Sequence, residues 1–228
     1  MAIHATRRAL IVGAIAVVVS AVPAAAVPIL LPLDAKDFNA LGVTGSATAL
    51  MTSPYNYNNT FTGEVFSQAF SLADGRYLYL YQAKNLGPSV LEVLAVSPFW
   101  DLVDQGYLTA NEPPGFLDTT TGVVPFGPNG PALTYDSGVP TPTVSFNYPS
   151  VLGAHVPPGS HTVGLYLISN QAPTVGEVYV IDSGTAIVDA VVPVPEPAAA
   201  GLLLLGAAVA LLRHRRRQAR LKGTRPPM

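Results

Sequence analysis

His155 and His161 are the only imidazoles in the middle of this 228-residue chain; His4 and His214 lie in the segments at its two ends. Acid–base catalysis near neutral pH draws first on imidazole, so this pair is where it would be sought. Their spacing, His-x5-His across the turn Val156-Pro157-Pro158-Gly159-Ser160, puts one ring before the turn and one at the start of a strand. A metal site would need at least one more ligand converging from elsewhere. The other reading is two surface histidines at a turn. A serine nucleophile would want a Gly-x-Ser-x-Gly elbow or a base within reach, and no such elbow occurs. Nor is there an Asp-x-Asp-x-Asp-Gly calcium loop. Asp101, Asp104 and Asp118 could gather around a cation, or they are solvated acids that keep the chain soluble. Cysteine is absent, which removes disulfides, thiolate metal ligands and cysteine nucleophiles. No catalytic residue, metal ligand or cofactor follows from these patterns, and the expectation is a non-enzymatic protein.

Exposed aromatics offer a different chemistry. Tyr55 and Tyr57 in SPYNYNNT, with Phe99, Trp100 and Tyr107 further on, could present flat rings to a sugar, with Asn56, Asn58 and Asn59 supplying hydrogen bonds. A carbohydrate-binding module would use Tyr55, Tyr57 and Trp100 in this way. Alternatively, Phe99 and Trp100 plug the end of a sandwich and the tyrosines cover hairpins. A hydrolase working from the long segment between Pro98 and Pro142 is a third reading.

Whatever these residues do, short extended runs separated by turn residues must position them, because no long 3.6-residue periodicity occurs. The segment GEVFSQAFSLADGRYLYLYQAKNLG predicts a hairpin at Asp74-Gly75, a pair that favours positive φ, with residues 64–73 against 76–85. Tyr77, Tyr79 and Tyr81 share one face of the second strand while Leu78 and Leu80 share the other, which predicts a central strand with neither face fully wet. Residues 89–97, 143–148 and 161–169 read as strands, as does the pair 176–182 and 185–192 joined at Ser183-Gly184. A weaker run near 43–51 brings the count to about eight, which suits a single β-sandwich of immunoglobulin or jelly-roll type. Ser97-Pro98 predicts a short helix through Gln105 with Phe99, Leu102 and Val103 inward. The rest of the segment from Pro98 to Pro142 reads as loop. Residues 189–197 read as a brief proline-stiffened stalk.

Charge is sharply segregated. Between Val27 and Val194 stand 13 of the chain's 14 acidic residues and only three of its 12 cations, Lys36, Arg76 and Lys84, a balance of −10. An acidic body of this kind excludes nucleic acid as its partner, since a polyanion site needs a basic face. The remaining cations sit at the ends, where they have another use.

The N-terminus, MAIHATRRALIVGAIAVVVSAVPAAAVP, runs from a positive region through an apolar stretch to Ala24-Ala25-Ala26, the pattern of a signal peptide cleaved after Ala26. An anchor that stays uncleaved is the alternative. Thr6-Arg7-Arg8 leaves general secretion and twin-arginine export both open. Near the C-terminus, Ala198 to Leu212 would make a helix of roughly 22 Å at 1.5 Å per residue, against ~30 Å of hydrocarbon. It has no polar face that could turn to water. Arg213, Arg215, Arg216 and Arg217 follow at once. Such cations stay on the cytoplasmic side and can snorkel toward lipid phosphates, lengthening a short span. Export at one end and retained cations at the other give a body outside and a tail inside.

Val194-Pro195-Glu196-Pro197, the apolar run and the arginine cluster together resemble the PEP-CTERM sorting domain of Gram-negative bacteria, over about the last 30 residues. The resemblance implies that an exosortase, an integral-membrane transpeptidase-like enzyme, recognises Pro195, Glu196 and Pro197 and separates the body from its tail. It also implies a cell that makes exopolysaccharide, and with it cell-surface or extracellular-matrix localisation. Physically, two prolines hold the backbone extended and stripped of amide donors beside a lone carboxylate. One departure is the tail, which continues past the arginines as QARLKGTRPPM. The expected organisation is therefore a signal peptide (1–26), an exported β-sandwich (27–192) and a sorting segment (193–228) made of the motif at 194–197, a transmembrane helix at 198–212 and a basic tail at 213–228.

Overall fold

The structure, a computed structural model, describes residues 28–127, 130–136, 142–149, 153–182 and 184–194. Its strands fall into two sheets. Across the six-stranded sheet the order is β1 (Ile29–Pro32), β9 (Ala132–Asp136), β10 (Thr143–Asn147), β7 (Val93–Ser97), β12 (Pro173–Ile181) and β13 (Thr185–Pro193). Every pairing in it is antiparallel. The seven-stranded sheet runs β2 (Asp34–Asp37), β8 (Leu102–Ala110), β11 (Leu165–Ser169), β6 (Tyr77–Asn85), β5 (Phe61–Leu72) and β3 (Val43–Ser46), with β4 (Met51–Tyr57) also paired to β5. Among the described residues the only helical turns are two 3-10 turns, Phe38–Leu41 and Thr119–Thr121.

The sheets face one another across a common core. From the six-stranded sheet, Leu94, Val96, Val144, Phe146, Val178 and Val180 meet Val65, Ala69, Tyr79, Tyr81, Leu165 and Leu167 from the other. A second cluster lies on the outer face of the seven-stranded sheet, where Phe66, Phe70, Leu78, Leu80, Tyr166 and Ile168 are covered by Phe38, Leu41, Val43, Leu50, Phe116 and Leu117. Strand β6 shows why both faces are dry. Its tyrosines 79 and 81 enter the shared core and its leucines 78 and 80 enter the outer one, all at 0% exposure. Each such leucine stabilises the fold by about 1.5–3 kcal/mol relative to leaving it in water.

The expected hairpin forms: β5 pairs with β6 in the register Ser71↔Tyr77 to Gly63↔Asn85. Gly75 takes a φ of 86° and the Asp74 carboxylate accepts from the Arg76 amide at 3.1 Å. β6 is flanked by β11 and β5, the central position its pattern required.

Three expectations are corrected. The helix from Ser97 to Gln105 does not form, because residues 102–110 are β8, paired to β11. Phe99 is buried, but Val103 is 44% exposed, as the two-residue alternation of a strand dictates. Gly106, a poor helix residue, lies under the Tyr166 ring, where an added Cβ would collide with that ring and with the Asp34 carbonyl. The tyrosines of SPYNYNNT, expected as exposed rings, stand on a strand, since β4 runs to Tyr57 and buries Tyr55 at 3% exposure, and Pro54 is tolerated because β4 uses only β5 as a partner. Finally, residues 189–193 are no stalk: they form the last part of β13, with Ala190, Val191 and Val192 at 0, 4 and 1% exposure. Among the described residues thirteen strands replace the expected count, the additions being β1, β2, β4, β8 and β9.

Candidate functional site

The sequence points to the place where the chain leaves its fold for the Pro-Glu-Pro motif, and β13 builds that place. As an edge strand, β13 turns backbone groups away from β12, and these need partners. At Val191 two side chains of the seven-stranded sheet supply them. The Tyr81 hydroxyl donates to the Val191 carbonyl at 2.6 Å, and the Val191 amide donates to Ser67 Oγ at 3.0 Å. Both contacts are buried. Burial pushes the Tyr81 phenol well above its ordinary range, with the neighbouring Tyr79 adding to the shift. The hydroxyl therefore stays protonated and able to donate.

Further along the same end, the Tyr79 hydroxyl donates to the Gln171 carbonyl at 2.6 Å. Its ring meets Phe99 edge-on, with centroids 5.5 Å apart. The Val194 amide, at the first residue of the motif, then donates to the Ala172 carbonyl at 2.7 Å. Ser169 ties in the neighbouring loop, donating to the Trp100 carbonyl at 2.8 Å and accepting from the Gln171 amide at 3.1 Å. The two tyrosines on one face of β6 are thus donors that hold the exit of the chain.

Strand direction puts the first residue of β1 and the last of β13 at one end of the body. The registers Ile29↔Tyr135, Thr143↔Asp136, Val144↔Val96, Glu177↔Ser97 and Pro173↔Pro193 carry the start of β1 and the finish of β13 to the same end of the six-stranded sheet.

The proposed sugar-binding rings are not brought together. Tyr55 is 3% exposed, its ring over Gly63 and its hydroxyl donating to the Lys84 carbonyl at 3.0 Å. Tyr57, 37% exposed, lies at the far end beside the β12–β13 turn, against Gly184. Trp100, half-buried, lies at the exit end. Asn56 and Asn59 hydrogen-bond each other at 2.9 Å.

The acids and histidines also go separate ways. Asp104 accepts from Lys36 at 3.0 Å and Asp101 from Asn170 at 2.7 Å. Asp118 caps the second 3-10 turn, and its hydrogen bonds from Thr120 hold the carboxyl below its usual range. Burial opposes the charge of Lys36, but its interactions with Asp104 and Tyr166 together outweigh that and raise the ammonium above its ordinary value. A His161 ring nitrogen lies 2.9 Å from the Asp118 carbonyl. Among the described residues no three histidines or carboxylates converge as a metal group would require. Two open clefts flank the outer face, about 450 Å3 beside Phe38, Phe70 and Asn111 and about 250 Å3 beside Lys36, Arg76 and Asp74.

Ala24, Ala26, Pro195, Glu196, Pro197, the apolar run 198–212 and Arg213, Arg215, Arg216 and Arg217 lie outside the described residues. Among the described residues no helix is long and apolar enough to cross a membrane. The pinning residues at the exit were not singled out in sequence, although one signal was present. Ser67 shares the face of Val65 and Ala69, and a polar side chain on a core-facing row needs a partner there.

A scan against protein-family models, a search of curated proteins and a search of solved structures returned no match.

Proposed function

We propose that this chain is an exported, membrane-anchored protein with a non-enzymatic β-sandwich body, of immunoglobulin or jelly-roll kind. In this reading an exosortase processes it at Pro195-Glu196-Pro197 for the cell surface or an exopolysaccharide-containing extracellular matrix. The single observation that carries the reading is order along the chain. The sorting motif, an apolar run of about 15 residues and the arginine cluster follow one another directly where β13 ends at Pro193. An enzyme reading the motif would meet it directly after the last strand, because Val194, hydrogen-bonded to Ala172, immediately precedes Pro195. The −10 balance of the body suits a soluble exported domain and disfavours polyanionic partners.

Intact mass and fractionation test this directly. Processing predicts an exported form lacking residues 1–26 with a new end near Pro197, and a precursor that pellets with membranes and withstands a salt wash. A full-length chain recovered from soluble cytosol would overturn both the anchor and the export.

A further inference from the structure

We infer that the end of the body bearing Trp100 and the loop 170–172 lies against the lipid headgroups, so that the body docks end-on to the bilayer rather than standing off it. The inference rests on the anchor proposed above and adds which surface meets the membrane.

The tether is short. From Val194, fixed to Ala172, to Ala198, where the apolar run begins, there are four residue steps, which reach ~14 Å when fully extended at ~3.5 Å per residue. Headgroups occupy about 6 Å of that distance on each side of the hydrocarbon. The exit end is therefore held within roughly 8 Å of the headgroup surface by covalent geometry alone. The prolines at 195 and 197 resist folding the tether back on itself.

The other end of the domain adds a second constraint. Ile29 begins β1 at the same end of the six-stranded sheet, three residues after Ala26. While the signal peptide is still attached, both membrane segments then pull on one end of the body. Had the ends been opposite, one would have to return along β6, whose nine residues span about 26 Å at ~3.3 Å per step.

The surface presented suits a headgroup layer. Trp100 is half-buried, with its indole N–H turned inward and unpartnered among the described residues, and tryptophan is enriched at the membrane–water interface. Asn170 and Ala172 are exposed beside it. Carboxylates at this end include Asp101, hydrogen-bonded by Asn170, Asp136 at the end of β9, and Asp74 in the β5–β6 turn, paired with Arg76.

The chain contains a single tryptophan, which makes the test direct. The full-length protein is reconstituted into phosphatidylcholine vesicles whose acyl chains are brominated close to the headgroup, and into unbrominated vesicles. Flotation and Trp100 emission are then measured on the same samples. A second protein, Trp100→Phe with Tyr57→Trp, moves the fluorophore to the far end. End-on docking predicts flotation of both proteins, with bromine-dependent loss of emission at position 100 and none at position 57. Flotation without quenching at position 100, or with equal quenching at both positions, would overturn the docking and leave the anchor standing. Failure to float would overturn the anchor and the docking with it.

Discussion

Replacing Tyr81 by phenylalanine removes one oxygen from a fully buried site and leaves the ring in place, so no cavity large enough to relax is created. What changes is the Val191 carbonyl, which loses the donor 2.6 Å away and lies too deep for water to replace it. A buried acceptor left without a partner costs about 1–3 kcal/mol. Taking about 2 kcal/mol, the unfolding equilibrium shifts roughly 30-fold, and the melting temperature of a domain this size falls by about 4–8 °C. Urea unfolding of the purified exported form, followed by Trp100 emission, measures the change. The midpoint should move while the slope holds, because the surface exposed on unfolding is the same. Ser67→Ala removes the acceptor of the Val191 amide and should cost a similar amount. Since both side chains hold one residue of β13, the double variant should cost less than the sum. A Tyr81→Phe protein within about 0.3 kcal/mol of the parent would refute the assignment of this hydroxyl as the pin of the last strand.

Other outcomes follow from the same structure. A chain stopped after Asp189 loses two buried valines and Ala190, a loss of about 3–6 kcal/mol, and should aggregate, whereas one stopped after Val194 should give a cooperative far-UV melt. Gly63→Ala drives a Cβ into the Lys84 carbonyl and the Tyr55 ring, and is expected to cost at least about 1–3 kcal/mol in the same urea assay. Burial raises the phenols of Tyr55, Tyr79, Tyr81 and Tyr148 above their ordinary value of 10.0, and that of Tyr166 up to about 12. The folded state then keeps protons that the unfolded chain gives up, so stability present below pH 10 should fall as pH rises above it. Melting temperatures flat from pH 8 to about pH 12 would contradict that burial.

Local pattern carried much of the architecture because its signals are short-range. Asp74-Gly75 and the alternation on either side of it specify one hairpin, and the tyrosine–leucine alternation of β6 specifies a strand dry on both faces. The missed elements lacked such signals. β4 carries Pro54 and leads into Asn58 and Asn59, and β8 carries Asp104, Gln105 and Gly106 in succession, so each is a strand by virtue of the neighbour it pairs with. Propensity in such segments is weak against pairing and burial. The candidate aromatics divided for the same reason. Tyr55 is covered because β4 lies on β5 opposite Gly63, a relation that the sequence spacing of Tyr55 and Tyr57 does not contain.

The sequence by itself determined an all-β body of strongly acidic balance without cysteine, flanked by segments whose apolar and basic order carries the proposed address. These properties depend on composition and on residues a few positions apart. Only the tertiary structure decided that the fold continues to Pro193, that Tyr81 and Ser67 pin Val191, and that β1 begins and β13 finishes at the same end of the body. Tyr81 and Val191 are 110 residues apart in sequence. Contacts of that separation arise from how strands order themselves in two facing sheets, and strand order follows from the packing of the whole core.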